Sequence, residues 1–347
     1  MALLADVSAK IQPDLLEQAL QQLLIHHDAL RARFLPVDAL VDWQQTIAKS
    51  APPPAFQVVD LSGLPELEQE ARIEQTIAQV QAGHNLAEGR LVGAAYFEGA
   101  AHPSNRLFIS VHHLAVDGFS WNILLQDLET AYDQLSRGKA VSLPAKTISM
   151  KRWADGLTEL AQTAELKKEL SHWLSVFDGV QQDIPVDISA GDNNEESSGV
   201  VLVSLDAAET QSLLKEVPAA YNTQINDILL TALAQTFSDW TGQSSLLINL
   251  EGHGREDILI DSAPPDRTVG WFTSMFPVKL TLPNSVHPGE RLKAIKEQLR
   301  AIPNKGIGFG LLRYLCRDDE VNRQLARTPS PQVLFNYLGQ LDTALPK

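Results

Sequence analysis

Cysteine is almost absent from these 347 residues, where Cys316 stands alone. One thiol excludes an intramolecular disulfide and a cysteine-rich metal site, and it fits a reducing compartment, so a cytoplasmic location is expected. Long apolar runs are also missing: none approaches the roughly 18 residues of a membrane helix, and the N-terminus lacks the charged and apolar regions of a signal peptide. Basic charge is scarce, with 28 Lys and Arg against 43 Asp and Glu and a formal net charge of −15. A phosphate backbone needs a basic surface, which argues against nucleic acid as a partner. The local cations Lys167, Lys168, Arg313 and Arg317 read as solvated faces. No G-x-S-x-G elbow is present to support a serine hydrolase. Gly306-Ile-Gly308-Phe-Gly310 has the wrong glycine spacing, and no preceding strand, for a phosphate loop or a dinucleotide site.

The hydrophobic content of 44% is that of an ordinary globular chain, and the length suggests two domains or one large one. One composition break stands out, the Asp183–Gly199 stretch with its Asp-Asn-Asn-Glu-Glu-Ser-Ser run, which reads as an exposed linker. The expected organisation is an α/β lobe over residues 1–182, a linker over 183–199 and a second lobe over 200–347. In the first lobe the periodicity predicts a helix from about Pro13 to Phe34 and strands near Gln57–Val59, Leu91–Phe97 and Leu107–His112. Helices are expected at Asn122–Leu135 and Ala161–Phe177. The second lobe is expected to open with a strand at Val200–Leu205 and to continue with helices near Ala208–Val217, Ile225–Trp240 and Pro288–Ala301. Its further strands are expected at Leu246–Leu250 and Phe276–Leu282.

Two places carry candidate chemistry. The strand at Leu107–Val111 runs into His112 and His113, then Asp117, then a helix start. A strand-to-helix junction is rigid behind and open in front, and an imidazole exchanges protons near neutrality. An isolated His-His pair is more often a satisfied core element. The second place changes that balance: the strand Leu246–Leu250 ends in Glu251, followed by Gly252-His253-Gly254-Arg255-Glu256. Glycines at 252 and 254 suit positive φ or close backbone approach, so the turn can hold Glu251 and Arg255 in a fixed geometry. Two strands in different halves of the chain thus deliver ionisable groups at their ends.

His112-His113-Leu-Ala-Val-Asp117-Gly-Phe-Ser120-Trp121 resembles the HHxxxDG signature of the condensation superfamily of nonribosomal peptide synthetases, whose fold is similar to chloramphenicol acetyltransferase. Further segments resemble its epimerization branch: Glu251–Glu256, Thr268-Val-Gly-Trp-Phe-Thr273 with Pro277, Pro303-Asn-Lys-Gly-Ile-Gly-Phe-Gly310, and Phe335-Asn-Tyr-Leu-Gly-Gln340. His27-Asp28-Ala29-Leu30-Arg31 and Gly83–Gly89 match its early pattern, so the resemblance covers essentially the whole chain. It implies two acetyltransferase-like α/β lobes in a V and inversion of the α-carbon of an aminoacyl or peptidyl thioester. The substrate would arrive on the 4′-phosphopantetheine of a peptidyl carrier protein, with adjacent adenylation and downstream condensation domains as further partners and no bound cofactor or metal.

On this resemblance His113 and Glu251 are the acid/base pair, and the base for the L-substrate could be either. His112 is a structural member, Asp117 pairs with Arg255, Asn336 and Tyr337 supply hydrogen bonds or belong to an ordinary strand, and Ser120 and Trp121 line the channel or the core. A metal set of His113 and Asp117 with His253 or Glu251 is disfavoured, because the His-Asp pair straddles a turn and the chemistry requires no metal. The alternatives are a condensation domain that forms peptide bonds, which shares the histidine motif, and a non-catalytic interaction module. Family members usually extend further at both ends, so the chain is expected to be a fragment whose second lobe is incomplete.

Overall fold

The computed structural model describes residues 1–7, 11–38, 42–99, 105–179, 184–188, 191–192, 194–259 and 264–339. The expected linker therefore lies partly outside the described residues, as does Gln340. Two compact units are present, one formed by Met1–Gly156 with Leu259–Thr273, the other by Leu157–Ile258 with Ser274–Tyr337.

In the first unit, strands β1 (Ala2–Val7), β4 (Ala55–Asp60), β5 (Val92–Glu98) and β6 (Asn105–Val111) form a sheet of order β1-β6-β5-β4. β6 is antiparallel to both its neighbours, and β4 runs parallel to β5. Strand alternation sends Ala94 and Tyr96 to one face and Ala95 and Phe97 to the other, and both faces are covered. On the first face lie α1 (Pro13–His26), through Leu16, Leu20, Leu23 and Leu24, and α3 (Gly118–Ser136), through Ile123, Leu124 and Leu128. On the second lies α2 (Glu66–Ala82), through Ile73. A hairpin of β2 (Ala32–Asp38) and β3 (Asp42–Ile47) stands apart.

That hairpin corrects the expected helix from Pro13 to Phe34. Helical spacing of apolar residues continues through Leu30 and Phe34, but α1 stops at His26, because His27 is extended at φ −92° and ψ 113°. Arg31 then caps the helix end, donating from one guanidinium nitrogen to the carbonyls of Leu24 (2.7 Å) and Ile25 (2.6 Å) and from Nε to that of Ala48, just past the hairpin (3.1 Å).

The second unit is built on a three-stranded sheet in which β7 (Ser245–Gly252) lies between β8 (Ser274–Thr281) and β9 (Val333–Phe335). Helix α4 (Met150–Leu160) carries the chain into it, followed by the short α5 (Ala164–Lys167), α6 (Leu170–Ser175), α7 (Ala207–Gln211) and α8 (Val217–Tyr221). Then come α9 (Ile225–Thr241), β7 (Ser245–Gly252), β8 (Ser274–Thr281), α10 (Pro288–Arg300), α11 (Ile307–Gly310), α12 (Asp319–Ala326) and β9 (Val333–Phe335). Its core gathers Trp173, Leu230, Ile248, Phe276, Leu280, Ile295 and Leu312.

Trp173 explains why residues 157–179 belong here and not to the lobe that the composition break suggested. It is fully buried, with Phe309 at 5.5 Å and Phe276 at 6.2 Å between ring centroids. Val269 explains the converse: it is buried in the first unit's core and brings Leu259–Thr273 with it.

Val200–Leu205 is also corrected. It forms no strand, and Val200, Val201, Leu202 and Val203 are 84–90% exposed. Its β-branched composition suits a strand, but no strand among the described residues hydrogen-bonds to it. No helix among the described residues is long and apolar enough to cross a membrane.

Candidate functional site

The first unit delivers His112 and His113 at the end of β6. Val111 is the last strand residue, and a single turn, His113–Ala115, intervenes before Asp117 starts α3. His112 faces inward: its Nδ1 accepts from the backbone N–H of Leu114 at 3.3 Å, and its ring meets His84 edge-on at 6.0 Å. Burial, with the chain's own N-terminal ammonium and His113 nearby, pushes the His112 pKa below the ordinary imidazole value. His113 is exposed and rests against the Trp271 ring at 5.0 Å. Of the two imidazoles, His112 is half-buried and His113 is the exposed one.

Asp117 is the N-cap of α3. Its Oδ1 accepts from the Ser120 backbone N–H at 2.8 Å and lies 2.7 Å from the Ser120 hydroxyl, while Oδ2 accepts from the Phe272 N–H at 3.1 Å. The Ser120 hydroxyl also accepts from the Gly270 N–H at 3.2 Å. Ser120 is fully buried, and Trp121, 7% exposed, belongs to the first core. Channel and core were the two places left open for them, and both side chains are buried. Asp117 and Ser120 together fasten the segment that carries Trp271, against whose ring His113 rests.

The second unit delivers Glu251 on β7, paired in register with Met275 of β8. On its other side β7 runs parallel to β9, with Leu250 opposite Phe335, the last residue of β9; Glu251 and Asn336 each follow that pair in sequence. Asn336 is exposed, while Glu251 and Tyr337 are half-buried. The two glycines after Glu251 serve the two uses anticipated for them. Gly254 has φ +65°, and a Cβ on Gly252 would stand 3.0 Å from the Ser274 hydroxyl. Arg255 and Glu256 are buried. Asp117 belongs to the first unit and Arg255 to the second, so their pairing stays a matter of resemblance.

Among the described residues, the one His/Cys/Asp/Glu group whose ligand-capable atoms gather within 4.8 Å is His26, His27 and Asp127, which includes none of the candidate acid/base or metal-set residues. The Asp127 carboxylate is already engaged there, by His27 Nε2 at 3.0 Å and by Arg267 at 2.5 Å. Sequence reasoning gave no role to Trp271, Glu256 or Lys305. Each stands inside a quoted motif, but no spacing rule reveals that the His113 ring rests on Trp271 or that Glu256 pairs with Lys305.

A family profile described as "Condensation domain" matches residues 1–345. The chain is 48% identical over 345 residues to a linear gramicidin synthase of Brevibacillus parabrevis, covering 98% of this chain and 4% of that protein. It is 38% identical over 332 residues to tyrocidine synthase 1 of the same organism, covering 95% of this chain and 30% of the other. The chain thus spans a small part of the length of these relatives. Among solved structures, the epimerization domain from the third module of tyrocidine synthetase B superposes with a TM-score of 0.89 at 36% identity, covering 97% of this chain and 74% of that one. The first condensation domain of the calcium-dependent antibiotic synthetase superposes with a TM-score of 0.70 at 18% identity, covering 97% and 75%, a likeness of fold.

Proposed function

The chain belongs to the condensation-domain family of nonribosomal peptide synthetases, and from that premise we propose that it epimerizes the α-carbon of an aminoacyl or peptidyl thioester. The observation that carries this reading is the contrast in identity between the two solved neighbours: 36% to the epimerization domain and 18% to the condensation domain. The motif Glu251–Glu256 supports it from the sequence side.

The α-proton beside a thioester is a weak acid. Removing it requires a base and a stabilised enolate oxyanion, and inversion requires a proton returned to the opposite face. Two acid/base groups meet this more simply than one, which would mostly return the proton to the face it left. We assign them as His113 and Glu251, each leaving the end of a strand that is anchored by its neighbours. Positioned groups of this kind contribute about 10²- to 10⁴-fold. Asn336 and Tyr337, which follow β9 directly, are suited to hydrogen-bond the enolate or orient the thioester. Asp117 and Arg255 serve as structural supports. The substrate partner is a carrier protein bearing 4′-phosphopantetheine, with adenylation and condensation domains as neighbours in a cytoplasmic synthetase.

The test is α-proton exchange from D₂O on an L-aminoacyl thioester loaded on a carrier protein. We expect exchange and inversion by the protein, with loss of at least about 100-fold in His113→Ala and in Glu251→Ala. Peptide-bond formation with a second loaded carrier, in place of inversion, would establish the condensation reading.

A further inference from the structure

We infer that Glu256 is a positioning residue, one that locks the turn after β7 to the loop Asn304–Gly306 and so fixes the strand end that carries Glu251. This deepens the proposed function and rests on Glu251 being one of the acid/base groups.

The lock begins at His253. Its Nδ1 accepts from the Arg255 backbone N–H at 3.0 Å, so a neutral imidazole must carry its proton on Nε2. That nitrogen lies 3.1 Å from one Glu256 oxygen. The other Glu256 oxygen lies 2.7 Å from Lys305 Nζ. The Glu256 side chain is 11% exposed, so both of its oxygens are held by cationic or N–H donors in a place with little water to replace them.

Lys305 sits in an unusual stretch of backbone. Asn304, Lys305 and Gly306 have φ of +43°, +51° and +91°, three consecutive residues in the left-handed region. For Asn and Lys this conformation persists only where the surroundings hold it. Three anchors do so. Asn304 Nδ2 donates to Glu169 Oε1 at 2.5 Å, while the other Glu169 oxygen accepts from Trp173 Nε1 at 3.0 Å. Gly306 lies against Phe276 of β8 so closely that a Cβ would come to 2.2 Å of its ring. Lys305 is tied to Glu256.

Phe276 is the register partner of Leu250, the residue before Glu251, and a Cβ on Gly252 would meet both the Phe276 ring at 3.4 Å and the Lys305 carbonyl at 3.9 Å. The left-handed loop therefore packs on Phe276, the cross-strand partner of Leu250, and comes near Gly252, so it borders the stretch of β7 that carries Glu251, and the Glu256–Lys305 pair holds it there. Two motifs far apart in sequence, Glu251–Glu256 and Pro303–Gly310, are one mechanical unit.

The experiment follows amide hydrogen exchange by mass spectrometry, together with epimerization kinetics, in the wild type, Glu256→Ala, Lys305→Ala and the double variant. Exchange should accelerate together in 249–253 and 304–308 in either single variant, and the double variant should be no worse than Glu256→Ala, since the two share one interaction. Turnover should fall about 10- to 100-fold with KM little changed, as displacement of a reacting group near 1 Å costs about 100-fold. Faster exchange confined to 254–258, additive effects of the two substitutions, or wild-type turnover with loosened loops would each overturn the proposal. A wild-type protein that does not invert its substrate would refute the epimerase reading alone, because coupled exchange at 249–253 and 304–308 still decides the lock. If Glu256→Ala does not fold, Glu256→Gln, which keeps an acceptor oxygen and loses the charge, takes its place in the same scheme.

Discussion

The Asp117 carboxylate accepts a hydrogen bond from the backbone N–H of Phe272, 155 residues further along the chain, at 3.1 Å. One side chain therefore caps α3 and also anchors the returning segment next to Trp271. Asp117→Ala removes the cap and leaves buried donors without a partner, which should lower stability by about 2 to 4 kcal/mol. Urea unfolding measures the loss, and limited proteolysis near residues 264–273 should show that segment released first. Asp117→Asn keeps an acceptor oxygen and should lose less.

Trp271, 45% exposed, offers His113 a surface to rest on and shares little of the core. Trp271→Ala should leave the melting temperature within about 2 °C of wild type, as expected for a partly exposed site. It should nonetheless slow α-proton exchange about 10-fold by freeing the imidazole. Equal loss of stability and activity would show that the ring is a packing element.

Acid should weaken the first unit through its half-buried imidazoles. Burial holds the pKa values of both His84 and His112 below the ordinary value of 6.5. Between those depressed values and about 6.5 the unfolded chain binds more protons than the folded one. Stability is thus level above about pH 6.5 and declines as the pH falls through the folded values. The carboxylates Asp28 and Asp127 are also depressed, Asp28 by Lys146 and Arg31 and Asp127 by His27 and Arg267, in each case against burial that acts the other way. They add a separate decline below about pH 4. Unfolding at pH 7 and pH 5 should show the first decline, reduced in His84→Gln.

Gly306→Ala should be among the most damaging single changes in the second unit. The added Cβ would stand 2.2 Å from the Phe276 ring, and φ of +91° disfavours any side chain. A loss above about 2 kcal/mol, or failure to accumulate in soluble form, is expected. Gly310, which has nothing within 4 Å of its Cβ position, supplies the control, since Gly310→Ala should be tolerated.

The elements legible in the sequence were those whose apolar period ends where the element ends. β6, α9, β7, β8 and α10 lie within a few residues of expectation, and with them the strand-end placement of His113 and Glu251. Failure came where tertiary partners decide. The spacing from Leu16 to Phe34 supports one long helix, and only Arg31 reaching back to the carbonyls of Leu24 and Ile25 reveals the break. The run from Val200 to Leu205 has strand composition without a strand to pair with. Composition placed a boundary near Asp183, whereas Trp173 had already joined the second core. Pairing of Glu256 with Lys305 depends on a left-handed turn that no periodicity reports.

That same exposed run makes a solution property predictable. Val201 and Leu202 are 90% and 89% exposed within an extended apolar stretch, a composition that pairs readily with other chains. Val201→Lys with Leu202→Glu should suppress concentration-dependent light scattering and leave the melting temperature unchanged.

The return of Leu259–Thr273 into the first unit has a further consequence, for how the chain can be divided. Neither unit is a contiguous stretch of polypeptide, so no single cut separates them: a break after Gly156 strands Val269 on the wrong fragment, away from the core it fills. Recombination between related chains at a single crossover would join halves that never packed against each other. Exchange is expected to succeed only when whole domains are swapped, or when the insert and its receiving core travel together.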